Sequence, residues 1–215
     1  MAKKKNIWKL EYTVTLFIIV SIVLILLPVS LGGTMQANLI SKWNERFNRV
    51  EYMASVIKAN MDLETEKTFE KAKPEDKDTL VLQLLKPYLR IDTSRQVPRH
   101  YRQRYMDRTR VLKGQEYYFS DVYYAENNVL VGIKYLKPES KDEPNYMMMF
   151  DLNGILPPNT WGKDIFGVDI YSDMSVKPFG DGMSMDALSS DCSPKGTGVM
   201  CSYYYKIGGA FDDKK

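Results

Sequence analysis

No charged residue lies between Glu11 and Lys42, an uncharged stretch that no soluble core of a 215-residue chain needs. Within it, Val14 to Leu27 reads VTLFIIVSIVLILL, followed by Pro28-Val29-Ser30-Leu31. About 20 apolar residues at roughly 1.5 Å each cover the ~30 Å hydrocarbon core of a bilayer. The stretch therefore reads as a transmembrane helix over residues 12–32. Lys3, Lys4, Lys5 and Lys9 precede it, whereas the first charges after it, from Lys42 to Glu51, are of mixed sign. A lysine excess before a first span marks the cytoplasmic end. Residues 1–11 are then a basic cytoplasmic leader, and the chain from about residue 33 lies on the other side.

Past Gly32-Gly33 the pattern turns amphipathic. Leu39, Trp43, Phe47, Val50, Ala54, Ile57 and Met61 recur at steps of three and four, one face of an α-helix. The expectation is one helix running from about residue 7 to about residue 62, with a weak spot at the glycine pair. Its second part, 33–62, lays an apolar stripe on a domain comprising 63–215. Pro74 opens a short helix with Glu75 and Asp76 in its first turn, ending near Pro87. The period then changes to strands. Glu116–Tyr124 and Val129–Leu136 flank an Ala125–Asn128 turn, and Tyr146–Asp151 follows a polar loop. Strand-like islands at Ile165–Tyr171 and Ser202–Ile207 complete an α+β fold with an antiparallel sheet of three or four strands.

The net charge of +3 comes from 30 basic and 27 acidic residues that are interspersed, so bulk charge makes no case for nucleic acid. The local exception is a run with Arg95, Arg99, Arg102, Arg104, Arg108 and Arg110 interleaved with Tyr101 and Tyr105. These are candidate phosphate contacts, and their other reading is a solvated basic face. The two cysteines, Cys192 and Cys201, lack a second Cys or His pair for a metal, because His100 is the only histidine. Outside the cytoplasm a disulfide is the simpler account. One histidine among arginines, with no Gly-x-Ser-x-Gly and no phosphate loop, offers no catalytic mechanism, and the expectation is a protein that is not an enzyme.

A basic leader, Glu11, an apolar helix and Pro28 occur in the order and spacing of a known family. The N-terminus resembles that of type IV pilins and type II secretion pseudopilins, whose mature chain has glutamate at position five and proline at position twenty-two. Placing Glu11 at the glutamate makes Ile7 the first mature residue, Pro28 the proline, and Asn6/Ile7 the candidate leader cleavage point. Asn6 stands where the family has glycine, Ile7 where it has phenylalanine, and Lys9 where it is apolar. Further on, Asp151-Leu152-Asn153-Gly154, Pro158-Asn159, Gly162 and Asp164-Ile165-Phe166 look like a segment near the C-terminus of many prepilin-type proteins.

The resemblance implies a lollipop: a long N-terminal helix whose first half is transmembrane and whose second half packs on an antiparallel sheet. It implies a non-enzymatic subunit of a type IV pilus or type II secretion pseudopilus. Such a subunit sits in the bacterial inner (cytoplasmic) membrane with its domain periplasmic or extracellular. Its partners would be the lipid bilayer, other pilin-like subunits and the membrane assembly machinery. Glu11 takes the family's role of pairing with a neighbour's α-amino group. The family's calcium loop makes Asp151, Asn153, Asp164 and Asp169 candidate calcium oxygens, although Asn-Gly and Asp-Gly are more often turn residues. Another class of reading is a single-pass membrane-anchored binding or sensor module. A signal peptide cut after Ser30-Leu31-Gly32 would instead release that module.

Overall fold

The computed structural model describes residues 5–61, 68 and 71–210, with the side chains of 5–10, 24–35 and Glu75 outside the description. The chain divides into two compact units, Met1–Asn38 and Leu39–Lys215. Helix α1 is assigned over Lys5–Asn60 and contributes to both. In the first unit, the described apolar side chains from Tyr12 to Val23 are largely exposed, Phe17 most of all at 73%. Ser21 returns its hydroxyl to the Phe17 carbonyl at 2.8 Å, which satisfies a polar group within the helix itself. Among the described residues, no helix is long and apolar enough to cross a membrane. The expected span 12–32 is described at side-chain level only as far as Val23.

The second unit is α+β. Its sheet is a five-stranded antiparallel meander in chain order: β1 (Val122–Tyr124), β2 (Leu130–Tyr135), β3 (Tyr146–Asp151), β4 (Ile165–Ile170) and β5 (Val176–Pro178). A single 3-10 turn at Glu126–Asn128 joins β1 to β2. There Asn127 and Asn128 take positive φ, which asparagine tolerates better than most residues. Helix α2 covers Pro74–Leu89, and α3 (Met185–Asp191) and α4 (Cys201–Lys206) close the chain.

Both faces of the sheet are covered, which is why β3 is buried at every residue. On the first face the α1 stripe Leu39, Trp43, Phe47, Val50, Met53 and Ile57 joins Val81, Leu82, Leu85 and Leu89 of α2. Together they cover Val131, Ile133, Met148, Phe150, Phe166 and Val168. The expected stripe is buried except at Met61, which is half-buried. Trp43 is its anchor: its ring stacks on Phe166 at 5.1 Å, and its indole N–H donates to the Ser202 carbonyl at 2.8 Å. Glu126 ties the hairpin turn to both helices, accepting from Arg49 of α1 at 2.6 Å and Arg90 beyond α2 at 2.8 Å.

The second face carries Met147, Met149 and Ile165 under Val111, Phe119, Trp161, Phe179 and Val199. Met149 lies opposite Gly132 on one side and Gly167 on the other. The missing side chains are space for two rings. A Cβ on Gly167 would fall 2.1 Å from the Phe179 ring, and one on Gly132 2.9 Å from the Phe119 ring. Glycine in a strand interior here marks close approach rather than weakness.

Three expectations need correction. Residues 116–121 are not strand, because Phe119 turns down onto the sheet while Gln103 bonds its backbone in both directions. The Gln103 Nε2 donates to the Phe119 carbonyl at 3.0 Å, and the Phe119 N–H donates to Gln103 Oε1 at 3.2 Å. Residues 202–207 are not strand either. Their tyrosines suit a pleat by propensity, but Cys201 and Tyr205, four apart, bury on one helical face against the core, and packing overrides propensity. The sheet has five strands rather than three or four, because the short β5 pairs with β4 at its edge. In the basic stretch 95–110 the arginines are exposed as expected, while Gln103 and Met106 between them are buried.

Replacing Trp43 separates packing from hydrogen bonding. Trp43→Ala is expected to cost about 3–5 kcal/mol, the range for deleting a buried aromatic. Trp43→Phe keeps most of the stack but leaves the buried Ser202 carbonyl without its donor, at about 1–3 kcal/mol. Urea unfolding of each variant checks this, and equal losses for both would contradict the division.

Candidate functional site

The polar centre of the second unit forms where β3 ends. Asp151, the last residue of β3, points with Met147 and Met149 to the second face and is fully buried. The Tyr101 hydroxyl donates to its Oδ2 at 2.9 Å. Asp164, which precedes β4, is also fully buried, and both its oxygens accept backbone N–H groups. Asn159 donates to Oδ2 at 2.8 Å and Thr160 to Oδ1 at 2.5 Å, closing the loop before β4. The Asn159 amide nitrogen turns toward Asp151 Oδ2 at 3.2 Å, Gly154 O and Leu156 O, since the opposite orientation would set an oxygen against acceptors. The cluster thus ties the arginine segment, through Tyr101, to the turn joining β3 and β4.

Burial drives the acidities. Desolvation holds the Asp151 carboxyl well above the usual carboxylate range, with the Asp164 charge adding to it. Desolvation also raises Asp164 to about 6, opposed by the Thr160 and Asn159 N–H groups. Burial of the phenol, with Asp151 beside it, pushes Tyr101 up as well.

Of the four candidate calcium oxygens, Asp151, Asn153 and Asp164 come together, because the β3–β4 connection folds back on itself. Asp169 does not join them. It lies five residues along β4, roughly 16 Å away at ~3.3 Å per residue. There it faces Glu116 and Lys177, and burial raises it to about 7. Among the described residues no three His, Cys, Asp or Glu side chains gather as a metal site. Both Asp164 oxygens already serve as acceptors for loop N–H groups. The four residues do not fit one calcium cage, and Asp-x-Asn-Gly works here as turn chemistry, with Gly154 at positive φ.

Cys192 and Cys201 are joined as a disulfide across a Cα–Cα distance of 5.3 Å. Cys192 caps α3 and Cys201 starts α4, so the bond fixes two short helices that could not hold themselves. In the chain-entropy description, closing a loop of about ten residues adds ~2.5–3 kcal/mol. Of the residues that the pilin resemblance singles out, Glu11 is exposed on α1. Asn6, Ile7 and Pro28 lie within the bounds of α1, and their side chains are outside the described residues.

The six arginines are all exposed, yet they are not one array. An antiparallel bridge sets Arg104 opposite Arg110, while Val111 N–H donates to the Gln103 carbonyl. Gln103 and Val111 fill the inward row of this small hairpin, and the arginines its outward row. Arg95 lies over the Tyr124 ring at 3.6 Å and donates to Asn128 at 2.7 Å. Arg95, Arg99, Arg102 and Arg110, with Lys113, line a groove of about 670 Å³. Lys113 and the groove-lining Tyr118 and Tyr123 were missed in the sequence because they lie beyond the arginine run, and the hairpin turn brings them back to it.

The raised carboxyls set a pH dependence. A carboxyl that is raised on folding binds protons in the native state that the unfolded chain has released. Its stabilising effect is complete below the unfolded value near 4 and lost as pH rises through the folded one. Asp164 at about 6 and Asp169 at about 7 therefore favour the folded state at pH 5 over pH 8. Asp169→Asn removes one of these titrations. It is expected to raise Tm at pH 8 by a few °C, on the scale of roughly 2–4 °C per kcal/mol for a chain this size, and to change it little at pH 5. Thermal unfolding at both pH values checks this, and an equal shift at both would contradict it.

Compared with known proteins, the chain matches no family model, no curated protein and no solved structure.

Proposed function

We propose that the chain is a non-enzymatic pilin-like subunit of a type IV pilus or type II secretion pseudopilus. It is held in the bacterial inner membrane by residues 12–32 and assembles through α1. The observation that carries this reading is the exposed apolar surface from Val14 to Val23, unbroken by charge. Such a surface on a single helix is stable in lipid and can exchange lipid for neighbouring helices without losing burial. The finer architecture of pilins, one helix shared between membrane and sheet, belongs to this same reading. The amphipathic stripe Leu39–Ile57 buried on an antiparallel sheet supports it.

Two further observations are consistent with a domain outside the cytoplasm. The Cys192–Cys201 disulfide suits an oxidising compartment. The lysines at positions 3, 4, 5 and 9 suit a cytoplasmic N-terminus. Glu11 stands at the edge of the apolar stretch, exposed in the single chain. In an assembly it pairs with a cationic group of a neighbour, and shielding from water strengthens that pair. The reading of an anchored or secreted binding module is favoured by one feature, the arginine-lined groove.

Protease added to intact spheroplasts is expected to remove the Leu39–Lys215 unit, and protection until the inner membrane is lysed would overturn the topology. Glu11→Gln tests assembly separately from anchoring. A neutral side chain enters lipid more readily, so membrane insertion is expected to hold. Crosslinking into filaments is expected to fall tenfold or more, about 1.4 kcal/mol of lost interaction. Wild-type assembly by Glu11→Gln would reduce the helix to an anchor and put the binding-module reading first.

A further inference from the structure

The basic groove has the composition of a binding site, with five cations against one acid among its described lining residues. Arg95, Arg99, Arg102, Arg110 and Lys113 line it, and Asp121 is the one acid among its described lining residues. Asp121 is itself engaged, its Oδ2 accepting from Ser120 at 2.8 Å. Among the described residues, none of the five cations forms a salt bridge, while Arg49 and Arg90, elsewhere on the unit, share Glu126. Among the described residues, Arg99 and Arg110 make no side-chain hydrogen bond either. Five like charges against one lining carboxylate repel one another, and an anion relieves that repulsion.

The groove is also shaped in advance. The Gln103–Phe119 pair of hydrogen bonds holds its floor, and Val111 and Phe119 bury beneath it. Arg95 is fixed by the Tyr124 ring and by Asn128. Arg102 donates to the carbonyls of Arg99 and Tyr101, which bends the 99–102 backbone around its guanidinium. Four of the five cations are arginines, whose planar forks match phosphate oxygens two at a time. Tyr118 and Tyr123, both half-buried, complete the lining, Tyr118 packed against the second-face core and Tyr123 against the first. A volume of about 670 Å³ exceeds what one tetrahedral anion fills and lies within the range of ligand sites.

We infer that this groove binds a ligand carrying two or more linked phosphate groups, laid across Arg95, Arg99, Arg102, Arg110 and Lys113. The site belongs to the Leu39–Lys215 unit, so the inference stands or falls independently of how α1 is used. The linked phosphates have two sources, a soluble oligophosphate or the backbone of a single-stranded nucleic acid.

Calorimetric titration of the full chain in detergent micelles at low salt tests this with tripolyphosphate and with a single-stranded oligothymidylate. Tripolyphosphate is expected to bind, and raising the salt to weaken it steeply. Arg99→Gln/Arg110→Gln is expected to lower affinity tenfold or more and to flatten the salt dependence. Lys141→Gln/Lys195→Gln, an equal charge loss elsewhere, is expected to leave it unchanged. Arg99→Lys/Arg110→Lys keeps the charge but not the forks, and is expected to fall between. Binding of both probes identifies the nucleic-acid backbone as the source, and tripolyphosphate alone the soluble ligand. Silence from both probes, equal binding by the arginine and lysine double variants, or orthophosphate binding as tightly as tripolyphosphate would overturn the inference. Heparin binding more tightly than either probe would overturn it in favour of a sulfated glycan.

Discussion

The second unit depends on the contact between Trp43 and the sheet. A strand that is buried on both faces, as β3 is, exists only if something apolar covers each side. On the first side that cover is the Leu39–Ile57 stripe of α1, in which Trp43 is fully buried. It stacks on Phe166 of β4, meets Phe150 of β3, and donates to Ser202 in the helix pinned by the disulfide. One side chain therefore joins the N-terminal helix, the centre of the sheet and the C-terminal helices. With a buried aromatic worth about 3–5 kcal/mol, this single contact is a large fraction of the ~5–15 kcal/mol margin of an ordinary domain.

The other face follows from the first. With α1 and α2 on one side, the sheet has to cover its reverse with chain that has no regular structure, residues 95–121 and the loop around Trp161. Irregular chain carries many backbone polar groups, and buried ones need partners. That requirement explains the buried polar side chains: Gln103 serves Phe119, Asp164 serves Asn159 and Thr160, and Tyr101 closes on Asp151. The same segment leaves its arginines outside, because guanidinium groups stay hydrated while the residues between them pack. A cover built for the sheet's sake thereby presents a cationic groove to solvent.

Periodicity made some of this legible in the sequence. The α1 stripe could be read because seven apolar residues at steps of three and four leave no competing pattern. β3 was legible to the residue, since a Tyr-Met-Met-Met-Phe run bounded by a polar loop and Asp-x-Asn-Gly has few other uses. β5 and α3 were not, being short elements that tertiary packing creates, with weak local preference. α4 was misread because three consecutive tyrosines favour a strand until the disulfide and the core claim one helical face. The groove could not be read because its lining joins residues 93–103 to 110–123 through a hairpin that the alternation does not announce. Asp-x-Asn-Gly was read more readily as a turn than as calcium ligands, and the Gly154 N–H donating to the Asp151 carbonyl makes it one.

The central claim is that the apolar helix is part of the working protein, retained for lipid and for neighbouring subunits. Its clearest test is the intact mass of the protein isolated from its native membrane, which reports the first residue of the mature chain. The account predicts a chain beginning at Ile7 or earlier, so that residues 12–32 are still present. A mature chain beginning at Gly33 would contradict it, because the helix would then have been a signal removed on export.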